Sequence, residues 1–104
     1  MSGDLRTLAE MDRVIHEPAR LMIVTILYAV ESADFTYLLN ETGLTKGNLS
    51  THLTRLEQAG YIKIEKTFRG KIPQTICRLT NDGRAAFEGY RAQLKRIISR
   101  TTRR

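Results

Sequence analysis

Apolar positions along this chain switch between two periods, and the switches mark its elements. Leu5, Leu8, Met11 and Ile15 recur at the spacing of one helix face and predict a first helix, with residues 1–4 frayed. Pro18 should end that helix, because the residue before proline avoids the α region. Proline also suits a first helical turn, so a second helix is expected over residues 18–30. Its Leu21, Met22, Ile23, Val24, Ile26 and Leu27 leave almost no polar face, which marks it as the spine of the core. Glu31 to Asp34 read as a polar break. Phe35 is expected in a very short strand, and Thr36 as the cap of a short helix to about Glu41, with Leu38 and Leu39 inward.

The stretch from Thr42 to Ile62 organises the rest. Gly43 stands where a helix terminus needs positive φ, Leu44 plugs the turn, and Thr45 is placed to cap the next helix. Leu49, Leu53 and Leu56 then share one side of a helix over residues 46–59, and Lys46, Asn48, Ser50, Thr51, Thr54 and Arg55 the other. Ala59-Gly60 closes that helix.

The period now drops to two. Strands are expected over 61–66 and 74–79, with Ile62 and Ile64 alternating with Lys63 and Glu65, and Cys77 and Leu79 facing away from Ile76 and Arg78. Residues 67–73 form the hairpin tip, turned by Gly70, flanked by Arg69 and Lys71 and restrained by Pro73. Thr80 should cap a last helix carrying Asp82 in its first turn and the stripe Phe87, Tyr90, Leu94, Ile97, Ile98. Residues 99–104 read as a frayed basic tail. The whole is expected to be one α+β domain over 1–104 with its core at about 12–90.

Composition changes the picture through charge. The net charge is +6. Residues 1–60 hold five Lys/Arg against eight Asp/Glu, a balance of −3; residues 61–104 hold twelve against three, a balance of +9. The basic half contains the hairpin and last helix, and a polyanion is the simplest partner for it. The longest apolar run, Leu21 to Val30, is too short to span a bilayer. No basic region followed by an apolar run stands at the N-terminus, so a secretion signal is not expected, and a lone Cys77 fits a reducing cytoplasm.

The segment Leu49-Ser50-Thr51-His52-Leu53-Thr54-Arg55-Leu56-Glu57-Gln58-Ala59-Gly60-Tyr61-Ile62 resembles the recognition helix of winged helix-turn-helix transcriptional regulators of the MarR and ArsR kind, in the short single-domain subgroup. The resemblance runs from Asp12-Arg13-Val14-Ile15-His16-Glu17-Pro18-Ala19-Arg20-Leu21 through Arg78-Leu79-Thr80-Asn81-Asp82-Gly83-Arg84-Ala85-Ala86-Phe87. It implies an α+β winged helix with a two-stranded wing and terminal dimerisation helices, acting as a homodimer on duplex DNA, with repression by occlusion as the usual mechanism. ArsR-like metal sensors carry paired cysteines in the supporting helix; here that place reads Thr36-Tyr37-Leu38-Leu39-Asn40-Glu41, so metal sensing there is unsupported.

The residues divide the DNA-binding work. Thr45, Lys46, Gly47, Asn48, Ser50 and Thr51 are placed to reach base edges or nearby phosphates, and Arg55 a phosphate. Gly47 permits close approach of the backbone. In the wing, Arg69 at the Gly70 turn suits a minor groove, with Thr67 and Lys71 on phosphates. The terminal helices suit a dimer interface of Leu5, Leu8, Met11, Phe87, Tyr90, Leu94, Ile97 and Ile98, and two-fold symmetry would present two recognition helices. A small-molecule effector that changes their spacing is compatible with this arrangement, and no residue identifies one.

Enzyme readings fare poorly. With only His16, His52 and Cys77, there is no Cys-x-x-Cys, no His-x-x-x-His and no phosphate loop, so no metal, cofactor or catalysis is expected. His16 reads as a helix C-terminal residue, His52 as a group packing or bonding at the helix–DNA boundary. Two alternatives stay open: a protein-interaction winged helix within a larger transcription or nucleic-acid-processing assembly, and a nucleic-acid binder, RNA included, without sequence preference. Phe68 is the lone aromatic near the wing, which disfavours single-strand stacking.

Overall fold

The computed structural model describes residues 2–101, with side chains from residue 6 onward. The order is α1 (Ser2–Glu10), α2 (Pro18–Val30), β1 (Ser32–Asp34), α3 (Phe35–Thr42), α4 (Lys46–Gln58), β2 (Ile62–Arg69), β3 (Ile72–Leu79) and α5 (Asn81–Arg100). The sheet is antiparallel in the order β1-β3-β2. This is an α+β winged helix.

α2 is the spine. It begins at Pro18 and is capped by Glu17, whose carboxylate accepts from the Arg20 N–H at 2.9 Å. Ala19, Ile23, Val24 and Leu27 are buried, and the helix touches α3, α4, α5, β1 and β3. Around it Ile15, Leu38, Leu49, Leu53, Leu56, Ile62, Cys77, Phe87 and Tyr90 complete one core that runs from Met11 to Ile97. Each fully buried Leu or Ile stabilises this arrangement by about 1.5–3 kcal/mol relative to exposure.

Three boundaries differ from the sequence expectation. The first helix begins at Ser2 rather than after residue 4 and stops at Glu10. Asp12 explains the stop: its Oδ1 accepts from the Val14 and Ile15 N–H groups at 2.8 and 3.2 Å, a local turn that competes with helix. Met11 and Ile15 are buried as expected, though from this turn rather than a helix face. His16 lies in the same turn and is no helix terminus.

The second difference is at Phe35, which opens α3 instead of lying in a strand. The strand is Ser32–Asp34, where Ala33 pairs with Cys77, and the cap is Asp34 rather than Thr36, accepting from the Tyr37 N–H at 2.7 Å.

The third is the wing, which is paired to its tip. Phe68 stands opposite Pro73 and Arg69 opposite Ile72, leaving only Gly70-Lys71 as the turn. Gly70 has φ +66 and Lys71 no positive φ, the pattern of a type II′ turn. Pro73 tolerates its strand position because Phe68–Pro73, the second pair from a two-residue turn, is one that exchanges no N–H bonds, and β1 pairs only with residues 76–78 of β3.

The last helix continues to Arg100, so residues 99 and 100 are helical; residues 102–104 of the expected tail lie outside the described residues. Its entry is tight. Thr80 caps it by accepting from the Gly83 N–H at 3.0 Å, and a Cβ on Gly83 would stand 2.1 Å from the Tyr61 carbonyl oxygen.

Candidate nucleic-acid interface

The turn before α4 is built as its residues require. Gly43 ends α3 at φ +70, with its N–H on the Leu39 carbonyl at 3.1 Å. Thr45 caps α4, its hydroxyl accepting from the Asn48 N–H at 3.1 Å. Leu49, Leu53 and Leu56 are driven into the core, which aims the opposite side of α4 at solvent. Thr45, Lys46, Gly47, Asn48, Ser50, Thr51 and Arg55 are all exposed there.

The line farthest from the three leucines is Gly47, Thr51, Thr54, Gln58, spaced i, i+4, i+7, i+11. Thr54 and Gln58 thus join the expected set, and counting on from Gly47 at helical spacing finds them in the sequence. Both threonine hydroxyls turn back into the helix: Thr51 donates to the Gly47 carbonyl and Thr54 to the Ser50 carbonyl, each at 3.0 Å.

α4 passes into β2 through Gly60, at φ +80, and the Tyr61 N–H donates to the Leu56 carbonyl at 3.0 Å. The wing is therefore anchored to the end of the same helix. Thr67, Arg69, Gly70 and Lys71 are exposed at its tip, beside Phe68 and Ile72 at 68% and 69% exposure. Lys46, Arg55, Arg69 and Lys71 enter no ion pair among the described residues, whereas Arg78 pairs with Glu65 at 3.1 Å. Cations on an exposed hairpin and helix form a face able to grip phosphates.

A polar junction behind α4 escaped sequence reasoning, because its partners lie far apart in the chain. Arg20 donates to the Val14 carbonyl at 2.6 Å and to His52 Nδ1 at 3.2 Å. The same His52 Nδ1 lies 3.8 Å from Glu17 Oε1. Tyr61 donates to Asp12, which together with burial pushes the tyrosine up to about 12. His16 Nδ1 and the Tyr90 hydroxyl lie 2.8 Å apart. One short turn between α1 and α2 thus touches the recognition helix, the wing root and α5.

The expected interface residues fall into two groups. Met11, Phe87, Tyr90 and Ile97 are buried inside the chain's own core, so one chain already covers them. Leu8 at 39% exposure, half-buried Leu94 and Ile98 at 56% remain outside it. Leu5 lies outside the residues whose side chains are described. Cys77 is fully buried, and burial pushes its thiol up to about 11. Among the described residues no His, Cys, Asp or Glu cluster could hold a metal ion, and no helix is long and apolar enough to cross a membrane.

A helix-turn-helix with an exposed second helix and a cationic wing defines a winged-helix DNA-binding domain. The model of the Winged helix DNA-binding domain family matches residues 19–98. An uncharacterised protein of Methanocaldococcus jannaschii is 37% identical over 79 residues, 75% of this chain and 85% of that one. A transcriptional regulator homologue from Pyrococcus horikoshii superposes with a TM-score of 0.86 at 27% identity, covering 93% of this chain and 95% of the other. A MarR-family regulator from Silicibacter pomeroyi shares the fold with a TM-score of 0.66 at 21% identity, covering 94% of this chain and 64% of its own. The chain belongs to the winged-helix DNA-binding family of transcriptional regulators.

Proposed function

We propose that this protein is a homodimer that binds a two-fold symmetric duplex DNA site by sequence and represses transcription by occluding it. The observation that carries the reading is the exposed side of α4, where Lys46, Asn48, Ser50, Thr51 and Arg55 face solvent. Bases are read from this side, phosphates are held by Lys46, Arg55, Lys71 and Thr67, and Arg69 enters the minor groove.

Shape supports the dimer. The molecule is 57 Å long and 25 Å wide, and its radius of gyration is 15.6 Å, against about 13 Å for a compact chain of this length. The far half of the 20-residue α5 carries half-buried Leu94 and exposed Ile98 in a groove shared with Arg91 and Lys95. Ala85, Gly89 and Ala92 line another exposed strip of this helix, and nothing lies within 4 Å of where a Gly89 side chain would begin. A second copy packing α5 against α5, with Leu8 beside it, covers both surfaces and sets the spacing of the recognition helices. An effector would act by favouring one spacing over another.

The test is selection from random duplexes, followed by binding of the selected and a scrambled duplex over a salt series, with light scattering on the free protein. A palindromic consensus, a dimer mass and a steep salt slope that falls by about one in Arg69→Ala are expected. A monomer at micromolar concentration, or equal affinity for both duplexes, refutes the reading.

A further inference from the structure

The centre of the exposed side of α4 carries very little polar reach. Gly47 offers no side chain, and the two residues that follow it on the same line are threonines with their hydroxyls committed. Thr51 Oγ1 donates to the Gly47 carbonyl and Thr54 Oγ1 to the Ser50 carbonyl, both at 3.0 Å. Helical threonines elsewhere do likewise: Thr25 donates to Leu21 and Thr42 to Leu38, each at 2.7 Å. This is one of the two rotamers that threonine favours in a helix. Once the hydroxyl folds back, the methyl group is what projects. The middle of the face is therefore apolar, while Ser50 and Asn48, to either side of it, make no side-chain hydrogen bond among the described residues.

Gly47 adds an independent sign. Its φ is not positive, and a Cβ there would meet nothing within 4 Å. Neither backbone conformation nor internal packing calls for glycine in this first turn of α4. Close approach of something outside the chain would. A groove floor reached by the backbone at Gly47 meets the Thr51 methyl one turn on and the Thr54 methyl next to it.

We propose that Thr51 and Thr54 read thymine: their methyl groups pack against the C5 methyl groups of thymines in the major groove, and the DNA half-site carries thymine at the one or two positions beneath them. This rests on the duplex-binding reading above and names the base chemistry it recognises. Among the four bases, thymine alone shows an apolar group on the major-groove edge, and threonine methyls are a fitting partner for it. Cytosine lacks this methyl group, and hydroxyls whose protons are already given to the backbone can only accept from its amino group, so the discrimination rests on the methyl contact.

Uracil substitution tests this without altering the protein, since it deletes only the methyl. In the duplex selected from random sequence, each thymine is replaced in turn by uracil. Binding of the full-length wild-type chain is compared with that of Thr51→Ser, Thr54→Ser and Thr51→Val. One or two replacements per half-site are expected to weaken wild-type binding by about fourfold each, the effect of one methyl-sized contact. Serine, which lacks the methyl, should lose sensitivity to one of these replacements; valine, which keeps it, should retain that sensitivity. 5-Methylcytosine in place of cytosine at a variant site should restore part of the lost affinity. A consensus whose uracil forms all bind like the parent overturns the thymine assignment and leaves sequence-specific binding standing. No consensus at all overturns both.

Discussion

Replacing Gly47 with alanine separates what α4 needs from what DNA needs. In the free protein the substitution has every local reason to stabilise. The site is helical, solvent-exposed and empty for 4 Å around the new Cβ. Glycine costs a helix about 0.5–1 kcal/mol relative to alanine, chiefly through unfolded-chain entropy. For a domain of this size that corresponds to a melting temperature higher by about 2–6 °C. Against DNA the same methyl stands on the line opposite Leu49, Leu53 and Leu56, where the backbone would come nearest the groove floor. The helix must then ride higher or tilt, and losing one good base contact costs about 1–3 kcal/mol, or about 5–150-fold in affinity. The assay pairs thermal unfolding by circular dichroism with fluorescence anisotropy on the selected and scrambled duplexes at one salt concentration. A higher melting temperature with weaker binding to the selected duplex alone is the expected result. Unchanged affinity would show that this line does not lie in the groove. A lower melting temperature would show that Gly47 has an internal role, and the inference from it would fall.

Other sites give sharper structural checks. Gly83→Ala should destabilise by about 1–3 kcal/mol in urea unfolding, because its Cβ would stand 2.1 Å from the Tyr61 carbonyl oxygen and α5 must shift; full stability would contradict the packing of α5 on the wing root. Glu31→Gly should stabilise by about 1 kcal/mol in the same assay, since Glu31 holds φ 71 at the end of α2, a conformation that strains any residue with a Cβ. Tyr61 holds its proton up to about 12 in the folded state against an ordinary 10.0. Its contribution to stability is therefore fully present below pH 10 and lost as pH rises from 10 to 12. Tyr61→Phe should flatten the alkaline part of the stability–pH curve, and an unaltered curve would remove the Asp12 contact from the account.

Much of this protein was legible in the residue order. The exposed side of α4 follows from Leu49, Leu53 and Leu56, because a 3.6-residue period determines which side chains share a face. Gly43, Thr45, Gly70 and Thr80 announced their turns and caps because each conformation there is decided within a few residues. Pro18 marked the start of α2, though not the end of α1. That end belongs to Asp12, whose side-chain bonds to its own backbone outbid a helical periodicity that Met11 and Ile15 continue. The paired wing was hidden as well, since whether Pro73 fits a strand depends on the phase of the ladder and on where β1 stops. Long-range polar contacts left no local trace: Arg20 meets His52, Asp12 meets Tyr61 and His16 meets Tyr90 only because α2 threads the middle of the core. The same burial decided which apolar residues one chain covers for itself. Met11, Phe87, Tyr90 and Ile97 looked free for a partner in a one-dimensional stripe, and packing against the rest of the fold had already claimed them.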